Sequence, residues 1–324
     1  MKRPARVLVP ALLHLVAVAS AACGDGPPAR TAGDPSATGG AQHAGASQRG
    51  VVPIAFEAKK AGSRAFPFPL VEGKVNGQPT RFILDTGTGS HVIDSALAAS
   101  AQLGTPAKAS SISIDGWGSL PEHAVAVREL PASIRAHGIG GVIAPQLLAE
   151  SATEAVVIDL VNRRMRARPQ SSAWSEMEDL GPLLSQPGPR KFCPVDAGGA
   201  PGLVLALDGS VDGEATRFEL DTGASRTSLV ETSKAVARAT TRPVLGRSVV
   251  STAMADTAMP IHGGVPLAFG AWKSTLDVGV SPDAHHGECG FDGRLGIDVL
   301  QQCAIAMTTE KMLLACRDPS AMGR

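Results

Sequence analysis

Tyrosine is absent from this 324-residue chain, and aromatic side chains make up only 3% of it. Gly, Pro, Ala, Val and Thr are plentiful instead, a composition that suits short strands joined by tight turns and disfavours a helical bundle. Net charge is missing too: 30 Lys and Arg balance 30 Asp and Glu, and no block of like charge stands out. That balance gives nucleic acid or acidic partners no footing. No membrane-spanning run is present either, since the apolar stretch from Val7 to Ala19 is too short to cross a bilayer comfortably. Several catalytic signatures are lacking: no Gly-x-Ser-x-Gly, no histidine in a recognisable triad context, no phosphate-binding loop and no dinucleotide fingerprint. No cofactor is implied.

What is present begins with Lys2, Arg3 and Arg6 ahead of that apolar run, followed by small residues, the layout of a secretory signal over residues 1–22. Ser20-Ala21-Ala22-Cys23 resembles the lipobox of bacterial lipoproteins, although Ser20 stands where that motif usually has Leu. Lipidation of Cys23 would anchor the chain to a bacterial membrane at the cell envelope. Cleavage after Ala19-Ser20-Ala21 would instead leave a soluble periplasmic or secreted protein. Five cysteines are present, and assigning Cys23 to a lipid leaves an even set, Cys193, Cys289, Cys303 and Cys316, for disulfides in an oxidising compartment. Four cysteines allow three pairings; Cys303 with Cys316 and Cys193 with Cys316 both stay open. From residue 23 to 50 the chain has almost no large apolar residue and reads as a flexible tether.

Beyond Val51 the sequence expects an all-β chain with a few short helices, in two lobes at 51–168 and 191–317. A polar, Pro-rich connection at 169–190 lies between them, and a tail at 318–324 follows. The division rests on an internal repeat. Val71 to Ile93 (VEGKVNGQPTRFILDTGTGSHVI) aligns without a gap with Leu207 to Leu229 (LDGSVDGEATRFELDTGASRTSL). Each copy predicts an alternating strand, an Asn76-Gly77 or Asp212-Gly213 hairpin turn, and a second strand that ends in an aspartate. A capped helix follows each, with Asp94 or Ser95 before one and Thr232 or Ser233 before the other. The lobes also end alike, in VVIDLVNRRMRA and CAIAMTTEKMLLAC, each read as strand, polar turn, strand.

A single Asp-Thr-Gly is ordinary turn composition. Two copies, each at the end of a hydrophobic strand in duplicated lobes, place Asp85 and Asp221 face to face about a pseudo-twofold axis. Two carboxylates that close cannot both ionise, so they share one proton, and an acid and a base stand side by side. The base can deprotonate a trapped water while the acid hydrogen-bonds the carbonyl under attack. Glycine at 87 and 223 permits close backbone approach, and the hydroxyls of Thr86 and Thr222 can lock the two loops together.

On FILDTGTGSHVI, FELDTGASRTSLV and the DGRLGIDVL segment, the chain resembles aspartic proteases of the pepsin and retropepsin superfamily. Within it, bacterial retropepsin-like proteins carry both lobes on one polypeptide. The resemblance runs from about Val51 to Cys316. It implies two β-rich lobes around a cleft, Asp85 and Asp221 as the catalytic pair, and Thr86, Gly87, Thr88, Thr222 and Gly223 as loop support. The implied activity is that of an aspartic endopeptidase on an extended polypeptide; the other reading is a non-catalytic cell-envelope protein of the same fold that binds peptide or a partner. Assembly stays open, and a monomer is compatible with two lobes on one chain.

Departures from the pattern carry expectations of their own. Ala144 replaces the glycine kept as Gly296 in the second lobe, and Thr88 faces Ala224, so a Thr88 hydrogen bond would make Asp85 the more readily ionised acid. Pepsins close a tyrosine-bearing flap, whereas here the candidate flap is SISIDGWGSL, with Trp117 between Gly116 and Gly118; packing of Trp117 on a hairpin surface is the competing reading. His285, His286 and Cys289 invite a zinc site, but no second Cys/His pair accompanies them, and a loop with one disulfide cysteine is preferred, so no metal is expected.

Overall fold

The computed structural model describes residues 49–57, 66–123, 125–183, 188–189, 192–196, 201–253, 256–282 and 290–317, with the backbone alone at 188–189, 192–196, 201–202 and 251. The signal segment, Cys23, the tether, His285, His286, Cys289 and the tail lie outside the described residues, as does the side chain of Cys193. Among the described residues no helix is long and apolar enough to cross a membrane.

The fold is predominantly β, as the composition predicts. In the first lobe seven strands form a sheet in the order Gly118–Ser119, Ile112–Ile114, Leu70–Val75, Gln78–Leu84, Ile139–Ile143, His91–Asp94, Val125–Arg128. The second lobe orders eight strands as Phe192–Asp196, Pro201–Val211, Glu214–Leu220, Gly293–Leu295, Ser228–Val230, Trp272–Ser281, Asp256–Phe269, Val244–Ser251. The repeat explains the likeness. Asn76 and Gly77 have φ of 46° and 81°, Asp212 and Gly213 47° and 83°, so each copy turns through the two left-handed residues that a tight hairpin requires. Asp94 caps the helix Ser95–Ser100 by accepting the Ala96 N–H at 3.1 Å, and its other oxygen accepts the Leu130 N–H at 2.9 Å. Ser233 stands at the N-cap of Lys234–Ala239 without a side-chain capping bond.

A third sheet joins the lobes. The similar hairpins that end them lie side by side, with Glu154–Asp159 pairing antiparallel to Cys303–Met307 through Asp159↔Ala304 to Val156↔Met307. Val52–Pro53 and Gly188–Pro189 extend its two edges to six strands. Alternation along these strands separates two faces. Val156, Ile158, Ile305 and Met307 enter the main core, while Ala155, Val157, Ala304 and Ala306 face the helix Gln170–Leu180. Alanines on that face let the helix come close enough to bury Ala173 and Met177, the latter contributing about 1.5–3 kcal/mol. The stretch expected as a bare connection therefore opens with a packed helix. A disulfide links Cys303 to Cys316, which are also register partners, and closes the final hairpin as one of the two open pairings had it.

Candidate active site

Each aspartate stands where its strand meets a parallel neighbour. Gln78–Leu84 pairs with Ile139–Ile143, and the Asp85 N–H continues the ladder by donating to the Ile143 carbonyl at 2.9 Å; the Asp221 N–H donates to the Leu295 carbonyl at 3.0 Å in the same way. The two loops are then tied to each other by four buried hydrogen bonds. The Thr86 hydroxyl donates to the Leu220 carbonyl at 2.7 Å and accepts the Thr222 N–H at 3.1 Å. Reciprocally, the Thr222 hydroxyl donates to the Leu84 carbonyl at 2.7 Å and accepts the Thr86 N–H at 3.0 Å. At about 1 kcal/mol net each, and more if a buried partner is orphaned, these bonds fix the aspartates against one another.

Glycine follows each threonine because the opposing acid leaves no room for more. A Cβ on Gly87 would overlap the carboxyl group of Asp221, and one on Gly223 would overlap that of Asp85. The Gly87 N–H donates to Asp85 Oδ1 at 2.8 Å. Thr88 does not reach the aspartate: its hydroxyl donates to the Ser90 carbonyl at 3.0 Å, which removes the expected source of asymmetry between the acids. Its carbonyl accepts from Gln146 Nε2 at 2.6 Å. In the second lobe the equivalent carbonyl, of Ala224, accepts the Ile297 N–H at 2.8 Å. Pro145 has no N–H to offer in the first lobe, so the Gln146 side chain substitutes.

The Ala144 departure is accommodated. Its methyl is fully buried, and its N–H donates to His91 Nδ1 at 3.2 Å, whereas the Gly296 N–H donates to Thr227 Oγ1 at 3.1 Å. A methyl on Gly296 would overlap the Arg226 backbone. His91 thus serves in the first lobe as the acceptor that Thr227 provides in the second.

The electrostatics are one-sided. Asp85 and Asp221 are 5% and 4% exposed, and burial pushes both carboxyl groups up. Asp85 rises well above the ordinary range because its neighbour Asp221 adds to the desolvation. Asp221 rises less: Arg294 Nε lies 2.7 Å from its Oδ2 and favours the charged form, offsetting part of the burial and of the repulsion from Glu219. Arg294 Nε is also 3.2 Å from Glu219 Oε2, and its guanidinium is held still more firmly protonated than usual, burial being outweighed by the carboxylates around it. The positive charge thus lies against Asp221 and favours ionisation of that acid, whereas the Thr88 expectation had placed the stabilising contact beside Asp85.

The candidate flap also differs from expectation. Trp117 is 4% exposed and packs in the main core with Val52 and Ile54, under Arg49 whose Cζ sits 4.8 Å from the ring centroid. The Gly116 carbonyl accepts the Gly50 N–H at 2.8 Å, and Gly116 and Gly118, at φ of 83° and 102°, shape a turn docked on the N-terminal segment. The hairpin tip that does meet the aspartate loops comes from the second lobe. Thr252 bridges to Ala224, the Ala253 N–H donates to the Gly223 carbonyl at 2.9 Å, and Ala253 is buried in the first-lobe cluster of Ile83, Val92 and Val142. Leu203 covers the other loop, its N–H donating to the Gly89 carbonyl at 2.9 Å and its carbonyl accepting from Gln146 Nε2 at 2.6 Å.

Arg294, Glu219, His91 and Gln146 were missed by motif reading, yet the repeat carried a signal for two of them. RFILDTG against RFELDTG sets Glu219 opposite Ile83, and VIA against RLG sets Arg294 opposite Val142. A charge at the inward position of a buried strand is costly unless paired. Among the described residues no group of three or more His, Cys, Asp and Glu side chains is placed to hold a metal ion.

The family described as Aspartyl protease matches residues 71–159. No curated protein sequence matches the chain. Among solved structures, the crystal structure of edgp aligns with 84% of this chain and 96% of its own at 11% identity and a TM-score of 0.44. Basic 7S globulin from soybean aligns with 85% of this chain and 96% of its own at 8% identity, TM-score 0.44. An aspartic proteinase from Irpex lacteus aligns with 83% and 97% at 12% identity, TM-score 0.38.

Proposed function

We propose that this aspartic-protease-like chain is an endopeptidase that hydrolyses an extended polypeptide with a water activated between Asp85 and Asp221. The observation that supports it best is the reciprocal Thr86–Thr222 lock, which sets each carboxyl group against the glycine of the opposite loop. Two buried acids sharing one proton supply what amide hydrolysis needs: the ionised member takes a proton from water, and the protonated one donates a hydrogen bond to the scissile carbonyl. As the tetrahedral intermediate collapses, the proton on the base passes to the leaving nitrogen and the pair returns to its starting state.

The second reading, a peptide- or partner-binding protein without turnover, is supported by the seated tip at Ala253 and by the near-complete burial of both acids. Incubation of the full chain with a diverse peptide mixture from acidic to neutral pH separates the two. Wild-type cleavage lowered about 100- to 10,000-fold in both Asp85→Asn and Asp221→Asn is expected; binding without cleavage would establish the second reading. The same proposal places the chain beyond the cytoplasmic membrane, anchored through a lipid on Cys23, with support from the Cys303–Cys316 disulfide. Recovery of the full chain in the membrane fraction tests the anchor.

A further inference from the structure

The two lobes place different chemistry at one pair of registered positions. In the first lobe Ile83 is paired with Val142, and Val92 flanks Val142 on its other side. All three sit in an apolar cluster with Phe66, Phe68 and Leu70. In the second lobe the corresponding registers are Glu219↔Arg294 and Ser228↔Arg294. The apolar pair has become a buried ion pair beside one aspartate only. Bringing a guanidinium and a carboxylate out of water costs several kcal/mol each, and the first lobe demonstrates that the fold does without them.

We propose that Arg294 is a positioning residue that keeps the shared proton of the dyad on Asp85, so that Asp221 is the water-activating base. The inference rests on the reading of Asp85 and Asp221 as a catalytic pair. Arg294 Nε lies in ion-pair contact with Asp221 Oδ2 at 2.7 Å while its N–H is donated to Glu219 Oε2 at 3.2 Å, and Asp221 Oδ1 is buried with no hydrogen-bond partner. The charged groups around the pair are few: Asp221 faces Asp85, Arg294 and Glu219, and Asp85 faces Asp221, Glu219 and, more weakly than Asp221 does, Arg294. With Glu219 and Asp221 ionised, Arg294 charged and Asp85 protonated, the cluster carries one net negative charge; moving the proton to Asp221 would waste the contact with Arg294. A symmetric dyad has no such preference.

The test copies the first-lobe pair into the second lobe with Glu219→Ile/Arg294→Val, which leaves neither charge stranded, beside Arg294→Lys. Two measurements are read: the pH profile of kcat/KM for peptide cleavage, and carboxyl-carbon NMR titration of the aspartates, assigned with Asp85→Asn and Asp221→Asn. In the wild type Asp221 should titrate below Asp85. In the double variant that order should be lost and the acid limb of the profile should move up, by less than the roughly 1–3 pH units of an adjacent Arg because the repulsion from Glu219 is removed with it. Below the limb kcat falls while KM holds, and Arg294→Lys keeps the limb near its wild-type position. A merely structural pair would lower stability at all pH values and leave both the limb and the titration order in place, and that result overturns the proposal. Absence of cleavage in the wild type would remove the protease reading, while the NMR order would still decide where the proton sits.

Discussion

His91 makes the clearest stability prediction at the scale of a residue. It is fully buried, and burial, with His123 nearby, pushes its imidazole down to about 3. Nδ1 accepts the Ala144 N–H, so the neutral ring is what the fold holds. In the unfolded chain a histidine takes up its proton near pH 6.5, so between that value and about 3 the unfolded state binds more protons and stability falls with pH. The full loss on acidification is on the order of 5 kcal/mol. Thr227 fills the same position in the second lobe and accepts the Gly296 N–H, so His91→Thr retains an acceptor without the titrating ring. Urea unfolding at a series of pH values should show the difference between His91→Thr and wild type widening in the variant's favour as pH falls from 7 to 4; a constant difference would mean that His91 does not titrate on unfolding. The acid pair was legible in the sequence because Asp-Thr-Gly occurs twice. His91 was not, because a histidine at a strand start carries no mark of what it accepts.

Among the elements, the hairpin of Val244–Ser251 and Asp256–Phe269 meets the aspartate loops. Ala253 donates to the Gly223 carbonyl and is buried against the first lobe, so under the proposed protease reading this contact has to open before a polypeptide reaches the acids. Ala253→Pro removes the donating N–H. About 1 kcal/mol of closure is lost with it, so kcat/KM should rise by up to about fivefold. Hydrogen exchange at Thr252 should rise in parallel; faster exchange with no gain in cleavage would remove the tip from the path of substrate. SISIDGWGSL drew attention as the flap because an aromatic between glycines looks unsuited to a core. Trp117 nevertheless has a core to enter, supplied by Val52 and Ile54, which precede it by more than sixty positions. The helix Gln170–Leu180 had a readable stripe in Ala173, Trp174, Met177 and Leu180, but its proline-bearing flanks read as a connection.

For the molecule as a whole, the interlobe sheet and the threonine lock join the described residues of the two lobes into one compact unit. Strands from both lobes share hydrogen bonds, and the helix Gln170–Leu180 rests on residues of both, so neither lobe buries its share of that sheet without the other. A single cooperative unfolding transition follows. Trp117 reports on the first lobe and Trp272 on the second, and in variants retaining one or the other the guanidinium midpoints should coincide. Midpoints well apart would show that the lobes unfold independently.

The duplicated strands, their turns, the two acids at strand ends and the predominantly β fold follow from local pattern, because hydrophobic period, turn chemistry and repetition are written in neighbouring residues. Which acid keeps the proton, which hairpin tip covers the loops and how the terminal strands of the lobes zip together depend on residues distant in the chain: Arg294 against Asp221, Ala253 against Gly223, Val156–Asp159 against Ala304–Met307. Electrostatic coupling and close packing act through space over a few ångströms, and only the folded chain sets those distances.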